Sequence, residues 1–226
     1  MTDRSFFVTG TDTGVGKTLI SCALLQACVS RGFSTAAMKP VASGCRQTAA
    51  GLRHDDALLL QAHMTADLEY ALVNPCALTT PVSPHLAARQ DDVDIDFDHI
   101  EAVYRQVARL ADVIIIEGVG GWRTPLHNHA TVADLACRLS LPVILVVGIR
   151  LGCLNHALLT YEAIIGDGLP VAGWVANINT PDGLCIEENI ATLENSLRAP
   201  LIGTVPCAQN ADARLLAGHL NLKQLL

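Results

Sequence analysis

The sequence predicts an α/β fold, a mostly parallel doubly wound sheet with helices on both faces, and three observations carry that prediction. Short apolar or β-branched runs alternate with longer helical patterns along most of the chain. The run 113–116 has no polar alternation, so both of its faces should be covered, as in a parallel sheet. Half of the residues are hydrophobic but only 4% are aromatic, so the core must be built from Ala, Leu, Val and Ile. A length of 226 residues suits one such unit, and no repeat, low-complexity tract or linker divides it; residues 1–226 are expected to form a single domain.

The elements follow in order. Residues 5–9 form the first strand, a glycine-bearing loop follows, and 17–30 form a helix in which Leu19, Ala23, Leu24 and Ala27 recur at helical spacing until Gly32 stops it. A second strand spans 35–38. The polar stretch 39–54 is long enough to be an active-site loop, and a helix begins near Asp55 or Asp56. Residues 96–110 form a helix with Phe97, Ile100, Val103, Val107 and Leu110 along one stripe, leading into the strand at 113–116. After the glycine-rich stretch 118–121 come a helix around 132–139, strand 143–147, a helix near 154–165, strand 171–176, helix 184–197 and strand 201–204. Right-handed crossovers between these strands place ligands beyond their carboxyl ends.

Charge and cysteine usage narrow the function. A net charge of −7 and a pI near 5.5 leave no basic face for a nucleic-acid backbone. The eight cysteines are scattered singly, without a C-x-x-C pair, and read as reduced thiols that mostly fill core space. No leader pattern opens the chain, and its longest apolar runs, such as 142–147, fall far below the roughly 18 to 20 residues that span a bilayer. A cytoplasmic protein without a membrane partner is expected.

The strongest motif is Gly10-Thr11-Asp12-Thr13-Gly14-Val15-Gly16-Lys17-Thr18, set between a strand and a helix as a P-loop requires. Backbone N–H groups and the helix N-terminus would face phosphates, Lys17 would reach the terminal groups, and the Thr18 hydroxyl would bind Mg²⁺. The strict pattern has its first glycine at position 11, where this chain has Thr11 and carries glycine one step earlier. A second carboxylate for the metal is offered by Glu117, which ends an apolar strand and precedes the small residues Gly118, Val119 and Gly120. Asp55 and Asp56 offer another, and position alone does not choose between them. Lys39, directly after the second strand, belongs on the same sheet edge, where a second cation would offset repulsion between an anionic acceptor and the γ-phosphate.

Several long strings then resemble the dethiobiotin synthetase family: GTDTGVGKT (10–18), KPVASG (39–44), EGVGGWRTPL (117–126), PVILVVGIRLGCLNHALLT (142–160), GWVAN (173–177) and PLIGTVP (200–206). They occur in the family's order and run nearly end to end. The resemblance also accounts for the shifted glycine, since the family's loop has the form GTDTxVGKT. It implies an ATP- and Mg²⁺-dependent ligase that closes the ureido ring of dethiobiotin from 7,8-diaminononanoate and CO2. The route runs through a carbamate and a carbamic-phosphoric anhydride.

By the same resemblance, Lys39 and Lys17 are the catalytic lysines, and Thr18, Asp56 and Glu117 are the Mg²⁺ ligands. Thr13, Gly14, Val15, Gly16, Lys17 and Thr18 wrap the phosphates. Asp56, Glu117, Gly118, Val119 and Gly120 complete the nucleotide site, with Asn177 reading adenine and Pro206, Cys207 and Ala208 closing over the base. Thr13 and Ser43 touch the diamine. The family is a homodimer in which Gly152, Cys153, Leu154 and Asn155 receive the substrate carboxylate of the neighbouring subunit's site, a task that suits a helix N-terminus. Two departures stand out: 184–197 matches no family string, and Cys207 and Ala208 provide no aromatic ring against adenine.

Rival readings are a glutamine-dependent amidating enzyme of the same P-loop branch and a MinD- or ParA-like switch ATPase acting through partners. The first would normally add a glutamine-hydrolysing domain; the second would carry a lysine near the start of the loop, where Thr11 stands. A GTPase would show N-K-x-D, which Asn177-Ile178-Asn179-Thr180 does not match. His127 and His129 read as a solvated turn, Trp122 and Trp174 as packing residues, and His156 and Tyr161 as structural or interfacial. No role is assigned to Asp12.

Overall fold

The computed structural model describes residues 4–127, 129–180, 183–207 and 212–226. The chain runs β1 (Arg4–Gly10), α1 (Lys17–Val29), β2 (Thr35–Met38), β3 (Val41–Ser43), β4 (Arg46–Thr48), β5 (Gly51–Arg53), α2 (Asp55–His63), α3 (Tyr70–Val73), β6 (Cys76–Leu78), α4 (Pro84–Asp91) and α5 (Phe97–Val107). It continues through β7 (Val113–Glu117), β8 (Pro125–His127), β9 (Ala130–Thr131), α6 (Val132–Leu139), β10 (Val143–Gly148), α7 (Cys153–Gly166), β11 (Val171–Asn177), α8 (Ile186–Ser196), β12 (Leu201–Val205) and α9 (Ala213–Leu216).

Six strands form the central sheet in the order β12-β11-β10-β1-β7-β2, and all five pairings are parallel. Strand β7 shows why the chain layers this way. It lies between β1 and β2, and all of Val113 to Glu117 is buried. Successive side chains on a strand point to opposite faces. Ile114 and Ile116 accordingly join the cluster under α5, α6 and α7, with Ile100, Leu135 and Ala157, while Val113 and Ile115 join Ile20, Leu24 and Leu216 under α1 and α9. One apolar strand thus feeds two cores.

Helix ends are set by local chemistry. Asp96 caps α5 by accepting from the Asp98 and His99 N–H groups at 2.8 and 3.2 Å. The helix stops at Val107, short of the expected Leu110, which is 51% exposed; the 106–110 backbone tightens through Arg109 N–H to Gln106 O and Leu110 N–H to Val107 O. Thr131 and Asp134 form a capping box on α6, and Gly32, at φ 84°, follows α1 as its expected stop.

The stretch 39–54 is not one irregular loop. Its β3 pairs in parallel with β6, and β4 and β5 form an antiparallel hairpin. These strands are three residues each, too short to show a period of two. The segment holding α3, β6 and α4, and the small β8–β9 pair, are likewise additions that the pattern of long elements did not signal.

Register brings the functional ends to one edge. Gly10 lies opposite Val146, Glu117 opposite Val8, Met38 opposite Ile116, and Gly148 opposite Asn177. The residues that follow these positions therefore emerge together beyond the carboxyl ends of the sheet.

Candidate active site

The loop after β1 is shaped by glycines that no other residue could replace cheaply. Gly14 and Gly16 adopt φ of 74° and 91°, the left-handed region, and Gly16 is the N-cap of α1. A Cβ on Gly16 would fall on the Asn177 amide nitrogen, and one on Gly10 would meet Val15 Cγ2 at 2.6 Å. The second contact explains the displaced glycine. Position 10 must be bare because Val15 packs over it, whereas Thr11 only has to donate its N–H to Val146 O at 3.1 Å.

Lys17 opens α1 and is 6% exposed, with Nζ donating to the Asp12 carbonyl at 3.0 Å. Burial, joined by the Lys39 cation, pulls its pKa from the usual 10.5 to about 8, against the opposing fields of Glu117, Asp56 and Asp12.

Beside it lies a buried charge cluster. Lys39 Nζ donates to Glu117 Oε1 at 2.6 Å and to Gly118 O at 3.0 Å, and pairs with Asp56 Oδ2 at 3.2 Å. Burial alone would lower the pKa of Lys39, but Glu117 and Asp56 outweigh it and raise the pKa, so the ammonium is retained. Thr18 Oγ1 donates to the same Glu117 Oε1 at 2.8 Å. Glu117 is fully buried, and its other oxygen, Oε2, has no hydrogen-bond partner.

The structure also separates the two candidate aspartates. Asp55 is 70% exposed and pairs with Arg46 on the hairpin, whereas Asp56 turns inward to Lys39. Burial works to raise the Asp56 carboxyl, but Lys39, His54 and the Thr18 and Lys39 hydrogen bonds more than offset it and hold it below its ordinary value.

A cavity of about 340 Å³ joins Thr13, Gly14, Gly16, Lys17, Thr18, Lys39, Ser43, Asp56, Glu117, Val119 and Gly120. Ala42 and His54 also line it, and neither was selected from the sequence. His54 serves as the N-cap of α2, its Nδ1 accepting from Asp56 N–H at 3.1 Å; a histidine in that task leaves no spacing signal.

Other expected residues lie outside this cavity. Val15 is buried beneath the loop, and Gly118 gives its carbonyl to Lys39. Asn177 is 4% exposed and spends its Nδ2 on Val15 O at 2.8 Å, so one of its amide groups supports the phosphate loop. Pro206 and Cys207 are exposed after β12, and Ala208 lies outside the described residues. Gly152 is the N-cap of α7 at φ 90°, Cys153 is buried, Leu154 is half-buried and Asn155 is exposed. Asp12 accepts from Thr13 N–H through Oδ1 at 2.7 Å and pairs through Oδ2 with Arg150 at 2.9 Å.

The packing residues behave as such. Trp122 lies edge-on to Phe7 with centroids 6.3 Å apart and donates to Asp167 at 2.7 Å, and Trp174 is fully buried. His127 departs from the solvated turn expected of it: it ends β8, is half-buried and lies edge-on to Phe97 with centroids 4.7 Å apart, whereas His129 is exposed. All eight cysteines are free and five are buried.

Comparison with known proteins fits this geometry. The model of the AAA domain family matches residues 4–214. The ATP-dependent dethiobiotin synthetase BioD of Pseudomonas aeruginosa is 52% identical over 222 residues, covering 98% of this chain and 97% of that protein. BioD 1 of Escherichia coli O157:H7 is 47% identical over 223 residues, covering 98% and 99%. The chain belongs to the ATP-dependent dethiobiotin synthetase family. Among solved structures, a ParA family ATPase from Chlorobium tepidum is similar at a TM-score of 0.55 and 16% identity, covering 99% of this chain and 95% of that one. MinD from Aquifex aeolicus reaches 0.56 at 13% identity, covering 91% and 83%. At such identity these two show the P-loop NTPase fold alone. Membership of the dethiobiotin synthetase family gives the buried Lys39–Glu117 cluster its context: two lysines and two carboxylates gathered at the mouth of a nucleotide loop.

Proposed function

We propose that this chain acts as one domain that closes the ureido ring of dethiobiotin from 7,8-diaminononanoate and CO2, with ATP converted to ADP and phosphate. The observation that carries the reading is the Lys39 ammonium within 3.2 Å of both Asp56 and Glu117, in the cavity that Lys17 and Thr18 also line. Relatives with nearly half or more of their residues identical, named as ATP-dependent dethiobiotin synthetases, support it.

The reaction begins with a carbamate on one amine of the substrate. A carbamate oxygen attacks the γ-phosphorus of ATP, breaking its bond to the bridging oxygen and releasing ADP. Lys17 and the N–H groups of the loop hold the phosphates, while Lys39 offsets the charge shared by the anionic carbamate and the phosphoryl group in transfer. The second amine then attacks the carbamate carbon of the mixed anhydride; the C–O bond to phosphate breaks, one proton passes from the attacking nitrogen to the released phosphate, and the ring closes. Ser43 lines the cavity where it can hold the diamine, and Thr13 can serve both substrates.

The residues present suit a magnesium ion. The orphaned Oε2 of Glu117, the Asp56 carboxylate and the Thr18 hydroxyl form an oxygen-only donor set, the kind a hard cation takes together with phosphate oxygens. Among the described residues no group of three or more His, Cys, Asp or Glu side chains could hold a metal ion, so the Thr18 hydroxyl and phosphate oxygens would have to complete this set. Bound there, magnesium would neutralise phosphate charge during transfer.

Adenine would be met by Asn177 through the amide oxygen that its bond to Val15 leaves available, and by the segment that starts at Pro206. The enzyme would work as a cytoplasmic homodimer, with Gly152, Cys153, Leu154 and Asn155 receiving the carboxylate bound in the neighbouring site. Among the described residues no helix is long and apolar enough to cross a membrane.

Incubation of the pure protein with diaminononanoate, bicarbonate and MgATP tests the reading. Mass spectrometry should detect the ring-closed product and ADP in equal amounts; ADP without that product, or neither, refutes the named activity.

A further inference from the structure

The mechanism leaves Asp12 and Arg150 unused, yet their geometry joins two parts of the site. Every acceptor group of Asp12 is engaged: Oδ1 by Thr13 N–H at 2.7 Å, Oδ2 by Arg150 Nη2 at 2.9 Å, and the main-chain carbonyl by Lys17 Nζ at 3.0 Å. Arg150 itself is held by its surroundings. Ile149 N–H, one residue before it, donates to Asn177 O at 2.8 Å, and Cys153 N–H donates to the Arg150 carbonyl at 3.0 Å. The guanidinium therefore projects from a turn fixed to β11 on one side and to the start of α7 on the other.

A carboxylate beside a phosphate loop is an electrostatic liability. Its field reaches Lys17, and it would repel the polyanion that Lys17 is placed to receive. The pair is nearly half exposed on both sides, so its contribution to folding is small and does not explain its placement. Asn at position 12 could still accept from Thr13 but could not pair with a cation.

We propose that Arg150 is a positioning residue for ATP: it neutralises Asp12 and braces the phosphate loop against the β10–α7 turn. Arg150 acts through Asp12. The inference rests on ATP binding at this loop, and it adds a residue that the phosphate-binding pattern does not contain.

The test compares the wild-type full chain with Arg150→Gln, Arg150→Lys and the double variant Asp12→Asn/Arg150→Gln, with ATP varied at saturating diaminononanoate and bicarbonate. Arg150→Gln should raise KM for ATP about three- to tenfold while kcat stays within about twofold. Arg150→Lys, which keeps the charge, should stay within about threefold of wild type, and the double variant should return to within about twofold because the unpaired carboxylate is gone. An unchanged KM in Arg150→Gln, a loss confined to kcat, or a double variant as impaired as the single one would overturn the inference. If the wild type closes no ring, the proposed function fails by itself; MgATP affinities of the same four proteins, measured by calorimetry, then decide this inference by the same ratios.

Discussion

Lys39 Nζ lies 2.6 Å from Glu117 Oε1, the same carboxylate oxygen that receives the Thr18 hydroxyl at 2.8 Å. One oxygen of a fully buried carboxylate is thus shared by an ammonium and a hydroxyl, while the other has no partner. A buried ion pair is weak evidence for stability in itself, but removing one member leaves an uncompensated charge.

Lys39→Ala should therefore cost about 3–5 kcal/mol, lowering the melting temperature by roughly 10 °C for a domain of this size. Millimolar MgCl2 should recover part of that loss in the variant and change the wild type much less, because the cation supplies the charge that Glu117 and Asp56 lack. Thermal denaturation with and without the metal checks this. A variant that melts like the wild type would show that the pair does not compensate Glu117.

If Lys17 holds the phosphates as proposed, its lowered pKa should make nucleotide binding depend on protons. Near pH 6.5 the ammonium is already charged, so its binding to phosphate takes up no proton. Above the free-enzyme value of about 8 the amine is partly neutral, and bound phosphate, by favouring the charged form, should draw in up to one proton per site. Calorimetry of ATP binding at pH 8.5 to 9 in buffers of different ionisation enthalpy measures this uptake, and Lys17→Gln should abolish it. The sign for folding is the reverse of a paired lysine: the penalty for burying the cation applies below about pH 8 and is relieved between there and the usual 10.5.

Gly16 and Asn177 are linked by space. Gly16→Ala adds a methyl where the Asn177 amide sits, at a φ of 91° that alanine rarely adopts. ATP affinity should fall by more than about tenfold. Asn177→Ala removes the bond to Val15 O and the proposed contact to adenine without adding bulk, and should cost about five- to a hundredfold in affinity, the range of two hydrogen bonds. A Gly16→Ala protein that binds ATP normally would contradict the close approach.

A variant remote from the cluster separates stability from chemistry. Thr131→Ala breaks the capping box of α6 and should lower stability by about 1 kcal/mol with KM for ATP unchanged. Denaturant titration and steady-state kinetics on the same sample check both halves.

The long elements were legible because they repeat their pattern over enough residues to be read. The strand expected at 113–116 declared itself by an unbroken apolar run, and the loop 10–18 by glycines whose positive φ and tight packing admit little else. Helix α6 was expected around 132–139 and spans those residues, Thr131 and Asp134 capping one end and Ser140 turning the chain at the other. What escaped was structure that local sequence does not encode. Three-residue strands such as β3 and β6 exist only as each other's partner. His54 enters the cavity through its place at the start of α2, and Arg150 meets Asp12 across 138 positions of sequence, where spacing carries no signal. The choice between Asp55 and Asp56 was open on position alone; the direction in which α2 presents each residue separates them.

The central claim is that this cluster transfers phosphate to a carbamate oxygen. Ring closure run with ¹⁸O-labelled bicarbonate, stopped before exchange with water, should place one labelled oxygen in the released phosphate, since the C–O bond breaks on the carbon side. Phosphate free of label, formed alongside the ring-closed product, would contradict it.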